Sequence, residues 1–298
     1  MFTRSRSHPA VGRRLVLLSA LMLAAASCRC PWTPGPDPAP GPEVPPRARV
    51  LRVCADPNNL PFSNDKQAGF ENRIAEIIAR DMDARLEYTW WPQRRGFVRN
   101  TLSAGACDVV IGVPANYDPV LSTQPYYRST YVFATRADSG VRLASLDDAI
   151  LRRLRIGVHV IGDDYANPPP AHALAERGMI RNVVGYSIYG DYAQPDPPAR
   201  LLDALTRREI DVAIVWGPFA GAYHKRAGVP LRVVPVPAPA DLPYLPFAFD
   251  IAMGVRRGDS ALRDELNAIL SRHRAEIAGV LDEFGVPRVE ATAAGSGP

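Results

Sequence analysis

The sequence predicts an α/β protein of two doubly wound lobes joined by two crossing strands. Three observations support this fold class. Apolar, β-favouring runs alternate with amphipathic helical segments, the same spacing of strand and helix recurs in the second half of the chain, and two further strand-like segments flank that half. Because each crossing strand carries the chain from one lobe to the other, the sequence predicts a hinge with a cleft beside it.

The first lobe is predicted to follow the order βαβαβ. Residues 49–55 (RVLRVCA), 86–91 (LEYTWW) and 108–113 (DVVIGV) form its strands, and the third is a continuous apolar run typical of a strand buried on both faces. A loop after the first strand leads to a helix with four apolar residues on one face, Phe70, Ile74, Ile77 and Ile78. Residues 97–103 form the second predicted helix.

The second lobe is predicted from a long internal repeat. Leu51 and Asp108 are 57 residues apart, and so are Leu154 and Asp211. The second pair lies 103 residues after the first, and Leu102 and Leu205 are separated by the same 103 residues. Such a repeat is too long for a solenoid and favours two similar α/β lobes, with chance coincidence of a few spacings as the alternative.

The remaining segments complete the domain organisation. Residues 131–136 (YVFATR) and 250–256 (DIAMGVR) are the predicted crossing strands. Asp259 and Ser260 are typical of a helix N-cap, and the helix that follows is predicted to continue towards Val280 and Phe284 and to pack on lobe one. We therefore expect lobe one at 49–137, lobe two at 138–249, a return strand with C-terminal helices at 250–290 and a disordered tail at 291–298.

The N-terminus predicts export. Residues 1–28 have an arginine-rich start and an apolar run at 15–26, typical of a signal peptide. Residues 25–28 (AASC) resemble a lipobox that would lipidate Cys28, cleavage after Ala26 is the alternative, and the Arg13–Arg14 pair is also compatible with twin-arginine export. Residues 29–48 form a Pro-rich linker, since residues 31–46 hold eight of the thirty prolines. We expect a periplasmic protein, held at a membrane only if Cys28 is lipidated.

The charge balance argues against nucleic acid as a partner. The formal charge is +4, but the first thirty residues contain five arginines and no acid. The rest of the chain has 30 basic and 31 acidic residues, a charge of about −1. A protein that binds the phosphate backbone needs a basic surface to replace counterions, and this composition does not supply one.

After the leader, Cys54 and Cys107 are the remaining cysteines, and an even pair in an oxidising compartment permits a disulfide. With a strand order of 2-1-3, the two residues lie on neighbouring strands, offset by about three residues or near 10 Å. A disulfide needs Cα atoms within about 7 Å. The flexible turn at Gly105 favours the disulfide over two free thiols, because it allows Cys107 to return towards strand one.

Candidate binding residues follow the strands, because ligands of open α/β sheets bind at the carboxyl ends of strands. In lobe one they are Asn58, Asn59, Pro61, Phe62, Trp91, Gln93, Arg94, Arg95, Pro114 and Asn116. In lobe two they are Gly162, Asp163, Asp164, Trp216 and Gly217. Ordinary loop packing is the alternative for each residue taken singly.

Six segments in order carry a family resemblance: LRVCADPNNLPFSN, GFENRIAEIIA, WWPQRRGFVRNTL, CDVVIGVPA, PYYRSTYVF and DVAIVWGP. They resemble periplasmic solute-binding proteins, and within them the quinoprotein dehydrogenase-associated proteins of the MxaJ/XoxJ type, over residues 49–287. The resemblance implies a type II periplasmic-binding fold and an accessory of a PQQ-dependent methanol or alcohol dehydrogenase that assists its maturation or activation. Arg and aromatic side chains dominate interfaces, so the anchors expected for the dehydrogenase are Trp91, Arg94, Arg95, Tyr126, Tyr127 and Trp216.

The sequence departs from the related amino-acid receptors, which pair both charges of a zwitterion. Residues 115–123 contain no Arg, Trp216 stands where those receptors have an acid, and Arg73 replaces the acid early in the first helix, although Glu71 is close. The alternative function is a receptor of an ABC transporter for a small, weakly charged organic solute. The five His are scattered, and no hydrolase, zinc or phosphate motif occurs, so we expect neither catalysis nor a cofactor.

Overall fold

The computed structural model describes residues 49–161, 167–188, 192 and 194–290. The predicted signal peptide with Cys28, the whole Pro-rich linker at 29–48, Gly162, Asp163, Asp164 and the tail at 291–298 therefore lie outside the described residues. The described residues form two α/β lobes joined by paired strands, as the sequence predicts. Within the described ranges, no helix is long and apolar enough to cross a membrane.

The strands follow the predicted order with small shifts at their ends. In lobe one and the first crossing they are β1 (Arg49–Ala55), β2 (Asn58–Asn59), β3 (Ser63–Asn64), β4 (Ala84–Trp90), β5 (Val109–Pro114), β6 (Leu121–Ser122) and β7 (Tyr127–Arg136). The later strands are β8 (Ile156–Val160), β9 (Val183–Ser187), β10 (Val212–Trp216), β11 (Leu231–Pro235) and β12 (Ala248–Val255).

The main sheet has the order β4-β1-β5-β12-β7-β10-β8-β9. Strand β1 lies parallel between β4 and β5, which is the predicted 2-1-3 arrangement. The crossing strands β7 and β12 pair antiparallel, with Tyr127 opposite Ile251 and Thr130 opposite Ala248. From Tyr131 onwards β7 pairs instead with β10 and β11 of lobe two. One strand thus belongs to both lobes.

The helices cover the sheet on both faces. They are α1 (Phe70–Asp81), α2 (Phe97–Asn100), α3 (Pro169–Glu176), α4 (Arg200–Thr206), α5 (Gly217–Ala227), α6 (Ser260–Arg272) and α7 (Arg274–Glu283), with short 3-10 helices at Ala137–Ser139, Ala149–Arg153 and Pro197–Ala199. The predicted apolar face of α1 is buried. It packs in one core with Leu266, Ile269 and Val280 of the two C-terminal helices.

Two predicted helices differ from the structure. The second helix ends at Asn100, not at residue 103, because Thr101 leaves helical geometry and its hydroxyl donates to the Phe97 carbonyl at 2.7 Å. The C-terminal helix is interrupted at His273, whose ring lies between the carboxylates of Asp81 and Glu276 at 2.7 and 2.9 Å. The chain bends there so that α6 and α7 both contact lobe one.

The internal repeat corresponds to a repeated structural motif. In lobe one the carboxylate of Asp108 accepts hydrogen bonds from the backbone and guanidinium of Arg52, at 2.6 to 3.1 Å. In lobe two Asp211 accepts the same three bonds from Arg155, at 2.8 to 3.1 Å. Each pair joins the first strand of its lobe, at Arg52 within β1 or at Arg155 just before β8, to the residue that precedes the third strand.

Cys54 and Cys107 form a disulfide with a Cα–Cα distance of 5.5 Å. Cys54 pairs in register with Val110, so the offset of three residues along the sheet is as expected. The bond nevertheless forms because Cys107 precedes β5 and lies in the turn after Gly105, which has a positive φ of 73°. The turn brings Cys107 back towards β1.

Candidate functional site

A pocket of about 310 Å³ lies between the two lobes, beside the crossing strands. This size is typical of a small-ligand site. Seven of the predicted binding residues line it: Asn58, Asn59, Phe62, Gln93, Pro114, Tyr127 and Trp216. The expectation that the ends of β1, β4, β5 and β10 converge on one cleft is thus met for these side chains.

The loop after β1 is held in place by Asp56. Its buried carboxylate accepts hydrogen bonds from the backbone N–H groups of Asn58 and Gln93, at 2.8 and 2.6 Å. The side-chain amide of Asn59 donates to the side-chain Oε1 of Gln93 at 3.1 Å. These bonds join the loops that follow β1 and β4, so the amides of the pocket rim have fixed positions.

The same loop connects tightly to α1. Backbone N–H groups of Phe70 and Glu71 donate to the carbonyls of Pro61 and Phe62 at 2.8 and 2.9 Å. A side chain on Gly69 would collide with the Phe62 carbonyl, which accounts for glycine at this position. The Pro-Phe pair of the loop thus sets where the helix begins, and it places Glu71 at the pocket.

Glu71 is the acidic group in this part of the pocket, which corrects the expectation for Arg73. Arg73 is exposed and pairs with Glu76 and Glu283, because its position in α1 faces away from the sheet. The carboxyl of Glu71 lies over Gly112 of β5, where any side chain would collide with Oε1. Burial, with a smaller contribution from the charge of Asp56, raises the pKa of Glu71 to about 8.

Aromatic rings form much of the remaining wall. Trp216, at the end of β10, contacts Tyr131 and Phe249 of the crossing strands, with ring centroids 5.3 and 5.7 Å apart. Phe62 of lobe one contacts Phe219 of α5 at 5.1 Å. The two lobes therefore meet through aromatic contacts on two sides of the pocket.

Polar contacts also join the lobes at the pocket mouth. The hydroxyl of Tyr192 donates to Asp56 at 2.7 Å, and the side-chain amide of Asn58 donates to the Gln194 carbonyl at 2.8 Å. The guanidinium of Arg94 lies 5.1 Å from the centre of the Tyr192 ring. Burial and the bond to Asp56 raise the pKa of Tyr192, so it stays a neutral donor.

Other predicted residues lie away from the pocket. Pro61 and Gly217 are buried in packing contacts, and Tyr126 turns its hydroxyl to the Ile111 carbonyl at 3.0 Å. The remaining four lie outside the lining because their loops carry them to the surface: Trp91, Arg94, Arg95 and Asn116. Gly162, Asp163 and Asp164 fall in the part of the chain that the structure leaves undescribed.

Several lining residues were not predicted. Asp56, Glu71 and Gly112 lie at or just inside element ends, and Tyr131, Phe219, Phe249 and Ile251 lie within elements. Their apolar patterns look the same as those of core residues. The one signal was composition, since Tyr131 is an aromatic residue on one predicted crossing strand and Phe249 directly precedes the other.

The histidines do not point to a metal site. His159 is buried, and burial lowers its pKa to about 4, so the neutral ring donates from Nε2 to the Pro198 carbonyl at 3.0 Å. Among the described residues, no group of His, Cys, Asp or Glu has the arrangement needed to hold a metal ion.

Residues 51–283 match the family model for bacterial extracellular solute-binding proteins, family 3. The chain belongs to this family. Its two-lobed type II fold and the cleft between the lobes are those of periplasmic binding proteins.

Individual relatives resemble the chain over most of its length. Protein MoxJ of Methylorubrum extorquens is 35% identical over 255 residues, which covers 81% of this chain and 82% of MoxJ. The crystal structure of the periplasmic binding protein XoxJ from Methylobacterium extorquens AM1 is 37% identical, with a TM-score of 0.66 over 81% of this chain and 100% of XoxJ. MxaJ from Methlophaga aminisulfidivorans is 29% identical, with a TM-score of 0.71 over 80% of this chain and 100% of MxaJ.

Proposed function

We propose that this protein is a periplasmic accessory factor that engages a PQQ-dependent methanol or alcohol dehydrogenase and assists its maturation or activation. The observation that carries the proposal is the similarity to MoxJ, XoxJ and MxaJ over about four-fifths of the chain. The six sequence segments that resemble this group include those that form the pocket. The proposed role is therefore one of binding, without a reaction catalysed by this chain.

The surface beside the pocket has the chemistry of a protein contact. A groove lined mostly by lobe one continues from the pocket and shares Gln93 and residues 112–114 with it. Arg99 and Tyr117 line the groove, and Trp91, two residues before Gln93 in the chain, has 42% of its surface exposed. Exposed Trp, Tyr and Arg side chains bury much area on binding and are enriched in interface hot spots.

Arg99 and Tyr117 replace Tyr126 and Tyr127 among the anchors expected for the dehydrogenase. Tyr126 and Tyr127 are committed to the interior of lobe one and the pocket wall, so they offer little surface to a folded partner. Trp91, Arg94 and Arg95 remain anchors because they lie at the surface next to the pocket. A partner segment would contact the groove first and the pocket rim second.

The deciding experiment combines deletion and co-purification. Deleting the gene should reduce periplasmic PQQ-dependent alcohol dehydrogenase activity, and the tagged protein should enrich the dehydrogenase from periplasmic extract. Reintroducing the Trp91→Ala, Tyr117→Ala double variant should restore less activity than the wild type. Tyr244→Ala is the matched control, because Tyr244 is 72% exposed and lies outside the pocket and the groove.

Two outcomes would reject this role. One is an unchanged dehydrogenase activity in the deletion strain together with no enrichment in stringent pull-downs. The other is a thermal shift of several degrees with a single metabolite, accompanied by permease and ATPase genes beside this one. The observation that favours this second function, a transport receptor for a small solute, is the pocket of small-ligand size between the lobes. Saturating ligand at a hundred times its Kd would stabilise the protein by about 2.7 kcal/mol, which a thermal shift detects.

A further inference from the structure

The pocket between the lobes has an unusual balance of charge. Two of its lining side chains are carboxylic acids, Asp56 and Glu71, and no Lys, Arg or His lines it among the described residues. Arg94 lies close by, but it stacks on the Tyr192 ring at the mouth and is not part of the lining. The described lining therefore offers two carboxyl groups and no side chain that would pair the carboxylate of a ligand.

The carboxyl of Glu71 has no partner in the part of the chain that the structure describes. No hydrogen bond or ion pair reaches either of its oxygens. By contrast, the neighbouring Asp56 accepts three hydrogen bonds. The half-buried Glu71 carboxyl opens onto the pocket instead, where water or a ligand can satisfy it, as most polar groups without a protein partner are satisfied.

The space around Glu71 is kept open by the backbone. Gly112 lies directly against the carboxyl, and a methyl group at that position would displace it. In the same lining, the ring of Trp216 contacts the rings of Tyr131 and Phe249 edge to face. Aromatic faces attract cations through their quadrupole, and Trp is the strongest of them.

We infer that the pocket between the lobes binds a small organic cation that lacks a carboxylate, such as an alkyl- or arylammonium ion. The cation lies against Glu71 and Asp56, and its apolar substituent packs on Trp216 and the neighbouring rings. A zwitterionic amino acid is disfavoured, because its carboxylate would be desolvated without a cationic side chain among the described lining residues. The inference does not depend on the dehydrogenase, since it concerns the isolated protein.

Binding of this kind is coupled to proton release. Burial holds Glu71 largely protonated at pH 7, and a cation beside it favours the ionised form. The other titratable groups that interact with Glu71 are Asp56, which is fixed by hydrogen bonds, and Tyr88, Tyr126 and Tyr127, whose pKa values are raised by burial. Affinity for a permanent cation should therefore rise from pH 6 to about pH 8 and then level off.

The test uses isothermal titration of the mature protein at constant ionic strength. Tetramethylammonium and benzylammonium chloride are the cationic probes, benzyl alcohol is the neutral probe of matched shape, and phenylalanine is the zwitterion. We expect benzylammonium to bind at least tenfold more tightly than benzyl alcohol or phenylalanine. Tetramethylammonium should bind more tightly at pH 8 than at pH 6, with proton release to the buffer.

Variants of α1 test whether binding depends on the carboxyl at the pocket or on any carboxyl of this helix. Glu71→Gln should weaken tetramethylammonium binding at pH 8 at least tenfold, whereas Glu76→Gln, on the exposed face of the same helix, should leave it unchanged. Trp216→Leu removes a ring without changing the charge and should also weaken binding of the cation. It therefore tests the inference even if Glu71→Gln fails to fold. Equal binding of benzylammonium and benzyl alcohol, no binding of either cation at millimolar concentration, or an unaffected Glu71→Gln variant would each overturn the inference. A failed dehydrogenase pull-down would not affect it.

Discussion

Lobe one and lobe two share an anchoring motif but complete it differently. Arg52 with Asp108 in lobe one and Arg155 with Asp211 in lobe two make the same hydrogen bonds, at positions 103 residues apart. At that offset, the disulfide of Cys54 and Cys107 corresponds to Gly157 and Ile210. The side chain of Ile210 there occupies the space beside Gly157. One backbone arrangement is thus closed by a covalent bond in one lobe and by packing in the other.

The two lobes should differ most in how much stability they lose when these positions are mutated. Lobe one has the cross-link over a sequence separation of 53 residues, and it also has Arg256, which donates to the Cys107 carbonyl and to Asp108. Lobe two depends on the buried Ile210 and on a more exposed ion pair. We therefore expect the equivalent positions to differ in their contributions to stability.

Removing the disulfide should have the largest effect. Cys54→Ala with Cys107→Ala should lower the free energy of unfolding by about 2–4 kcal/mol, because the cross-link restricts the unfolded chain. Urea denaturation of the oxidised wild type and the variant measures the difference. The control is the reduced wild type, which should unfold near the variant. Mass spectrometry that finds alkylated thiols on both residues of unreduced protein would refute the bond.

Neutralising the two aspartates should have a smaller and unequal effect. Asp108 is 15% exposed and bonds to two arginines, whereas Asp211 is 26% exposed and bonds to Arg155 alone among the ion pairs formed by described residues. We expect Asp108→Asn to cost about 1–3 kcal/mol, in the range of hydrogen bonds to charged groups. Asp211→Asn should cost about 1 kcal/mol or less, as is usual for exposed pairs.

The effect of these substitutions should depend on pH. Burial acts to raise the pKa of Asp108, but the hydrogen bonds from Arg52 and Arg256 outweigh it and hold the pKa below its usual range. The bond from Arg155 likewise lowers the pKa of Asp211. A lowered folded-state pKa stabilises above the unfolded value near 4, and this contribution is lost as the pH falls through the folded value. Denaturation at pH 7 and pH 3 should show the gap to the wild type narrowing in acid. An unchanged gap, or equal costs for both variants, would contradict the comparison.

Adding a second cross-link, in lobe two, should produce opposing changes in stability that largely cancel. Gly157→Cys with Ile210→Cys should form a disulfide, because the two positions are the repeat equivalents of Cys54 and Cys107 and the side chain of Ile210 already reaches Gly157. The gain of about 2–4 kcal/mol from the new bond is offset by the lost packing of Ile210, so the net change in stability should be within about 2 kcal/mol. Intact mass and thiol alkylation reveal the bond. Two free thiols in protein with an intact native disulfide would show that the lobes differ in backbone as well as in side chains, and Gly157→Ala alone controls for the added Cβ.

Most of the fold was predictable because its determinants are local. Strands β1, β5, β8 and β10 are short apolar runs, and α1 has a clear apolar face, so pattern alone located them. The break at His273 was not predictable, because it depends on a tertiary hydrogen bond to a residue distant in sequence, Asp81. Local helix propensity does not depend on such tertiary partners and cannot predict them. The early end of α2 was missed because the Thr101 hydroxyl bonds to the Phe97 carbonyl, which an apolar pattern does not reveal.

The site was predictable where residues follow strands and not where they lie within elements. Asn58, Phe62 and Gln93 follow strands and line the pocket, whereas Trp91 and Asn116 also follow strands but lie at the surface. Tyr131 and Phe249 face the cleft from inside crossing strands, where a ring that lines a pocket has the same sequence pattern as one in a core. Glu71 was noted in sequence only as a neighbour of Arg73, because the turn of the helix that faces the pocket is set by the contacts at Gly69.

The close approach of Gly112 to Glu71 has an evolutionary consequence. Because a side chain at 112 and a glutamate at 71 compete for the same volume, the two positions cannot drift independently. Relatives that replace Gly112 with a larger residue should carry a shorter residue in place of Glu71, whereas glycine should persist wherever the acid does. The pair therefore serves as a two-position signature for tracing which lineages of this family have retained the same ligand chemistry.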